Sequence, residues 1–296
     1  MMKSASREQL EQQGYCIARN LLDQSMIEKI SQWCDKVLEK VSEYNRTEFK
    51  AQGCLVDIAD YPDFAEVIGH EALAALFNEL DFGGYVLGSG SVVSKPPNGP
   101  ALFWHQDWWG WDDLLSYSDR IPQVNVMIYL SPTSPGNGCL RVIPGSHHQK
   151  HPLHQFPVDY SSSISRVENP DHPLYQSWEG ECAITVQPGD IVVKDTRLLH
   201  STYANASNVD RTMLSLNFNP DFSALPASMQ ARIKRIFMRE IEFDWIDVPK
   251  GLQMSQWPDS QRKKIEHLFP VCADDVPPQN FNFSPNLDLL NGVEHY

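Results

Sequence analysis

The sequence predicts a mainly β protein with flanking helices, its strands closed into a sandwich or barrel. Two observations carry this. From about residue 83 to 220 the chain is a series of short apolar runs broken by Gly and Pro. Before and after that stretch the apolar residues recur at three or four, the period of a helix lying on a core. With 296 residues, 42% of them hydrophobic, there is material for one large core. No internal repeat or low-complexity tract divides it. The expected plan is therefore a single domain over 1–296. It has a mainly helical part (1–82), a β core (83–220) and a helical and irregular extension (221–296).

The elements follow in order. Residues 6–45 read as two helical pieces with a break between them. In the second, Met26, Ile30, Trp33, Val37 and Val41 form an apolar stripe, and Asp23 or Ser25 can cap its start. HEALAALFNEL predicts a helix over 70–79. The predicted strands are GYVLGSGSVVSKPP (84–97), VNVMIYL (124–130), CLRVIPG (139–145), CAITV (182–186), DIVVKD (190–195) and TMLSLNF (212–218). Residues 223–245 turn helical again, and the proline-containing tail, 270–296, reads as irregular.

Composition excludes some functions. The net charge of −14 disfavours nucleic acid and anionic membranes as partners, and no Lys/Arg cluster offsets it. The N-terminus MMKSASREQLEQQGY lacks an apolar signal core, and no run of 18 apolar residues occurs. The six cysteines form no CxxC pair. These features predict a cytoplasmic protein with free thiols. They leave the oligomeric state open.

The chemistry gathers in FWHQDWWGWDD (103–113), which holds four of the eight tryptophans. His105 and Asp107, two apart, point the same way if extended, so one element can present both to one ion. His200, after the strand DIVVKD, can complete a set of two imidazoles and one carboxylate. That set leaves open positions on an octahedral iron. It also suits catalytic zinc, but zinc proteases carry HExxH, and HEALA at 70–74 lacks the second histidine. Alternation along RTMLSLNF puts Arg211, Met213, Ser215 and Asn217 on one face. An inward arginine there suits a carboxylate. Asn125, Met127 and Tyr129 share a face of the next strand, as do Ser89, Ser91, Val93 and Lys95 of another. His147, His148, His151 and His154 read as a solvated loop, and Asp112 and Asp113 as a cationic contact or an exposed turn.

Four stretches together resemble the phytanoyl-CoA dioxygenase family of Fe(II)/2-oxoglutarate-dependent oxygenases. They are SKPPNGPALFWHQDWWGW (94–111), NGCLRVIPGSH (137–147), PGDIVVKDTRLLH (188–200) and NVDRTMLSLNF (208–218). The resemblance implies a double-stranded β-helix, the cupin-like jelly roll. It implies Fe(II) on His105, Asp107 and His200, and 2-oxoglutarate and O2 as cosubstrates, with Arg211 on the distal carboxylate. Met213 stands where some relatives have a serine, so the helper of Arg211 is open. Ser215 and Asn125 are the candidates, and Ser91 is a further expected cofactor-binding residue. Asp107 stands where related halogenases carry a small residue, which disfavours halogenation.

The implied reaction is hydroxylation of an unactivated C–H in a small specialised metabolite, cationic or alkaloid-like, with succinate and CO2 as co-products. Desaturation, epimerisation or ring closure, or an acyl-CoA substrate, are alternatives within the same chemistry. A non-catalytic binding module is the alternative outside it. Trp108, Trp109 and Trp111, following the ligand pair, are the expected substrate wall.

Overall fold

The alternation read in the sequence appears as two antiparallel sheets in a computed structural model, which describes residues 3–156, 162–240 and 253–291. Residues 241–245 of the expected C-terminal helix, and 292–296 of the expected tail, lie outside the described residues. The strands are β1 (Tyr15–Ala18), β2 (Val56–Asp57), β3 (Val86–Lys95), β4 (Val124–Tyr129), β5 (Leu140–Val142), β6 (Cys182–Ile184), β7 (Ile191–Asp195), β8 (His200–Thr202) and β9 (Arg211–Asn219). The larger sheet has the order β1-β7-β4-β9-β3-β2, and the smaller β6-β5-β8. All pairings are antiparallel. This is the jelly roll that the resemblance implied.

Each central strand of the large sheet sends alternate side chains to opposite faces. Val124, Val126 and Ile128 of β4, Ile191 and Val193 of β7, and Leu214, Leu216 and Phe218 of β9 join the outer core. Helix α1 (Ala5–Gln13) leads into β1. Helix α2 (Gln24–Leu38) packs against β3 and β9 and buries Met26, Ile30, Trp33 and Val37. Its cap is Asp23, whose Oδ1 accepts from Met26 N at 2.8 Å. After α3 (Glu43–Glu48) and α4 (Ala65–Ile68), helix α5 (Glu71–Glu79) sets the Phe77 ring 4.9 Å from that of Phe218. Burying aliphatic side chains of this size contributes about 1.5–3 kcal/mol each.

The inner face is mixed. Met127, Tyr129, Val192 and Met213 meet Leu140, Val142 and Ile184 of the small sheet. Between the sheets, toward one end, the lining turns polar and opens into a cavity. Beyond the short helix α6 (Ser162–Ser165), α7 (Ala227–Phe237) contacts β3 and helps to wall that cavity, and α8 (Asp259–Ile265) packs on α4.

Three strands escaped the sequence reading. β1, β2 and β8 have four, two and three residues, too short for an alternation to register. The tail is irregular as expected, but it has a definite place. Asn282 bridges to Gly110, and Asn291 to Gln149.

Candidate metal centre and cavity

His105 stands just before the tryptophan loop and bridges to His200, the first residue of β8, with N–H···O distances of 3.0 Å in both directions. Asp107 is tied to the turn before β8 by its N–H to Thr196 O, 2.8 Å. Backbone pairing thus brings residues 93 positions apart in the sequence onto one point. Asp107 Oδ1 lies 3.3 Å from His105 Nε2, and Asp107 Oδ2 lies 3.3 Å from His200 Nε2. Among the described residues this trio is the group whose ligand atoms converge, all within 4.8 Å of one another.

The protonation states suit a metal. His105 Nδ1 lies 2.9 Å from Phe103 O, and His200 Nδ1 3.0 Å from Leu198 O. Each Nδ1 therefore carries the proton and donates, leaving the Nε2 lone pair for an ion. Burial pulls the His200 imidazole down to about 4, helped by the Lys194 ammonium, so the ring is neutral at pH 7. Burial pushes the Asp107 carboxyl up, but interactions led by the Lys194 ammonium outweigh it and hold it well below the usual carboxylate range. Two imidazoles and one carboxylate are the donor set that a divalent iron takes with open positions.

These three residues line a cavity of about 510 Å³, inside the roughly 300–1,000 Å³ range of small-molecule sites. β9 presents Arg211, Met213, Ser215 and Asn217 to it, β4 presents Asn125 and Met127, and β3 presents Ser89, Ser91 and Val93. Arg211 is at the far end. It is 1% exposed, and its Nε and Nη1 are buried without a hydrogen-bond partner among the described residues. Its guanidinium lies 5.6 Å from the centre of the Tyr129 ring. Tyr129 OH and Thr202 Oγ1 are likewise buried and unpartnered. Orphaned donors of this kind cost about 1–3 kcal/mol each. The fork of the Arg211 guanidinium fits a carboxylate.

The register sorts the expected helpers of Arg211. Arg211 faces Lys95 across the β3–β9 pair, whereas Ser215 faces Ser91 and Met127, and Asn125 faces Asn217. Asn217 is six residues along the strand, about 20 Å from Arg211. Asn125 donates to Asn217 Oδ1, and Asn217 Nδ2 to Ser89 Oγ at 2.8 Å. Asn125, Ser91 and Ser215 thus line the same cavity as Arg211, further along the strands. Tyr129 stands beside Arg211, and Thr202 adds a further buried hydroxyl to the cavity lining. Thr202 lies two residues beyond His200, on the way to Asn205, which donates to Lys95 O. The signal for it was that spacing of two on a strand. Lys95 is fully buried and donates to Ala51 O at 2.8 Å and to Pro100 O.

The tryptophans also divide. Trp108 and Trp109 line the cavity, but Trp111 does not. Trp111 is buried with Phe222, Leu225 and Met229, its ring 5.5 Å from that of Tyr117. Trp108 donates to Ser116 Oγ at 2.8 Å, and the Arg232 guanidinium lies 5.4 Å from its ring. Trp109 stands edge-on to Phe281 and Phe283 of the tail. Gly110 is needed between them, because a Cβ there would lie 2.5 Å from the Trp108 ring. Asp113 caps the next turn by accepting from Leu115 N, and Asp112 accepts from Asn282. Both belong to the turn and not to the cavity lining.

The histidines after PGS do not form a solvated loop. His147 is 1% exposed, with Nε2 2.9 Å from Glu11 O at the end of α1. His151 and His154 cap a 3-10 turn reciprocally. Burial pulls His148 and His154 each down to about 4.

The family model for phytanoyl-CoA dioxygenase (PhyH) matches residues 10–213. The chain belongs to the phytanoyl-CoA dioxygenase family. A probable alpha-ketoglutarate-dependent hypophosphite dioxygenase of Stutzerimonas stutzeri is 31% identical over 138 residues, 45% of this chain and 44% of that protein. The chain thus spans less than half the length of that relative. HygX of Streptomyces hygroscopicus, solved with nickel and 2-oxoglutarate, superposes with a TM-score of 0.55 at 19% identity, covering 74% of this chain and 88% of HygX. The 2-oxoglutarate-dependent epimerase SnoN from nogalamycin biosynthesis does so at 0.54 and 16%, covering 73% and 82%. These likenesses show the fold of this PhyH-family chain. Among its described residues, no helix is long and apolar enough to cross a membrane.

Proposed function

We propose that this PhyH-family protein is an Fe(II)- and 2-oxoglutarate-dependent dioxygenase that hydroxylates an unactivated C–H of a small specialised metabolite. One observation carries the reading. A single cavity has a His-Asp-His metal-ligand set at one place and an unpaired, buried arginine at another. 2-Oxoglutarate has a chelating keto acid at one end and a second carboxylate at the other, and matches both.

Each residue then has a task. His105, Asp107 and His200 hold the ion, their orientation fixed by the carbonyls of Phe103 and Leu198 and by Lys194. Arg211 grips the distal carboxylate with donors from Tyr129 and Thr202. Met127 and Met213 line the passage between, and Ser91 and Ser215 offer hydroxyls along it. Iron, when bound, supplies the O2 chemistry that converts 2-oxoglutarate, O2 and R–H into succinate, CO2 and R–OH. Trp108 and Trp109 exclude water from the reacting centre. The Asn125–Asn217–Ser89 row offers amides and a hydroxyl to the substrate.

A small ring-bearing metabolite, neutral or cationic, is the substrate class favoured. Indole faces and the Asp57 carboxyl line the cavity. HygX has also been solved with hygromycin B, itself a small molecule. Epimerisation or ring closure is the second reading, favoured by SnoN and by the carbocyclase SnoK among the structural neighbours. The six cysteines are all free, in keeping with a reducing cytoplasmic setting.

The test is succinate release with Fe(II), 2-oxoglutarate and a panel of such metabolites, with mass analysis of the product. Succinate in proportion to a product that has gained one oxygen atom supports the reading. A product isomeric with its substrate, or short of two hydrogens, selects the second. Hydrolysis without succinate overturns both.

A further inference from the structure

The tryptophan wall of the cavity has a cation built into it. Arg232 of α7 lines the cavity with Trp108 and Trp109 and is 2% exposed. Its Nη1 is spent on the backbone, donating to Trp109 O at 2.8 Å and to Asn280 O at 3.3 Å. Its flat face lies over two rings, 5.4 Å from the centre of Trp108 and 5.6 Å from that of Phe281. The edge that remains, Nε and Nη2, donates to no described residue. Two parallel N–H groups leave that edge, the fork that takes both oxygens of a carboxylate. Gly110 leaves Nη2 uncovered, because a Cβ there would lie 3.0 Å from it. The protein does not supply the countercharge either. The carboxylates that line the same cavity face other cations: Asp107 meets Lys194 at 3.0 Å, Glu48 meets Arg166 at 2.7 Å and Asp57 meets Arg239 at 3.9 Å. Burial pulls the Arg232 guanidinium down to about 10, against the pull of Asp112 and Asp113 in the neighbouring turn, so it is still charged at pH 7.

We propose that Arg232 is a substrate-binding residue whose Nε–Nη2 edge holds a carboxylate of the metabolite. The inference rests on the cosubstrate reading above: with Arg211 occupied by 2-oxoglutarate, Arg232 is the buried cavity cation left without an ion pair. Trp108 and Trp109 directly follow the ligand Asp107, so a carboxylate anchored here is held on the loop that carries the metal site. Among metabolites neutral or cationic overall, this selects those whose carboxylate is balanced by an ammonium, amino acids and their derivatives.

The probe is phenylacetate, a ring with one carboxylate, set against its uncharged counterpart phenylacetamide. The full chain, carrying 15N-labelled arginine, is loaded with Zn(II) and saturating 2-oxoglutarate. It is followed by NMR at the Arg232 Nε–H, identified by its loss in Arg232→Lys. Phenylacetate is expected to shift that signal saturably, and phenylacetamide to leave it in place. Arg232→Lys keeps a charge but loses the fork, and should weaken phenylacetate binding by about tenfold or more. An arginine that only braces α7 against the loop and the tail would show no shift in the wild-type protein, or the same shift with both compounds. Either result would overturn the proposal. So would undiminished phenylacetate affinity in an Arg232→Lys protein with wild-type circular dichroism. Failure of the cosubstrate reading has a different appearance, in which 2-oxoglutarate does not move the Arg211 signal, and the proposal falls with it.

Discussion

The two ends of the cavity handle charge in opposite ways. At the metal end the carboxylate of Asp107 is matched by the ammonium of Lys194, and both imidazoles are fixed by backbone carbonyls. At the other end Arg211 is just as buried, but two of its nitrogens have no hydrogen-bond partner among the described residues, nor have the hydroxyls of Tyr129 and Thr202. The first end is preorganised before any ligand arrives. The second holds an unmet demand that only a ligand satisfies. An uncompensated buried group is therefore the better guide to a missing cosubstrate, and a compensated one to a site that must keep its shape.

The largest expected effect separates the ends by sign. Asp107→Ala removes a metal ligand and strands the Lys194 ammonium. Metal affinity, measured calorimetrically, is expected to fall by at least about 100-fold, since even second-layer changes cost about 10–100-fold. Stability should fall by about 3 kcal/mol, the low end for a broken buried pair, because Asp107 is 33% open to the cavity. Arg211→Met removes a charge that has no ion-pair partner among the described residues. The unliganded protein should gain about 1 kcal/mol or more, with Tm up by about 2–4 °C. A loss of stability in this variant would show that Arg211 is paired in the free protein.

The next effect concerns the ligand. Truncating one partner of a buried charge pair costs about 2–5 kcal/mol, so Arg211→Met should weaken 2-oxoglutarate binding by at least about 30-fold. Wild-type protein at about 100 times Kd should gain about 2.7 kcal/mol from 2-oxoglutarate, seen as a thermal shift that the variant lacks. Tyr129→Phe and Thr202→Val each remove one hydrogen bond and should cost about 1 kcal/mol, roughly fivefold in Kd. Ser215→Ala, two rows from Arg211, should leave Kd unchanged.

The smallest effect is on pH. His148, His154 and His200 are held near 4, below the usual imidazole value of 6.5. The unfolded chain then binds more protons between those values. The stability they contribute is complete above about pH 6.5 and drains away as pH falls toward 4, so the Tm of the metal-free protein should decline through that window. A flat Tm from pH 6.5 to 4.5 would show that these rings are solvated.

Much of the site was legible because strands encode geometry simply. His105 and Asp107 at a spacing of two, His200 after a strand, and Arg211 opening an alternating strand all sit in places that pairing fixes. Where the chain leaves a strand, the code fails. Trp108, Trp109 and Trp111 lie in an irregular loop, and nothing in their spacing tells that Trp111 turns into the core. His147 follows a turn that suggests exposure, but α1 covers it, a contact between residues 136 apart in sequence. Lys194 ends an apolar run, and nothing in that run marks it as buried. Its burial depends on Asp107, 87 residues away.

The measurement that bears most directly on the cavity as one two-ended site is the anaerobic titration of 2-oxoglutarate into the Fe(II)-loaded protein, followed by its visible charge-transfer absorption. Wild-type protein should develop the band only with both additions, His105→Ala should not develop it, and Arg211→Met should need at least about 30-fold more 2-oxoglutarate. No band in the wild-type protein, or the same half-saturation in wild type and Arg211→Met, would contradict a cosubstrate held between the metal and Arg211.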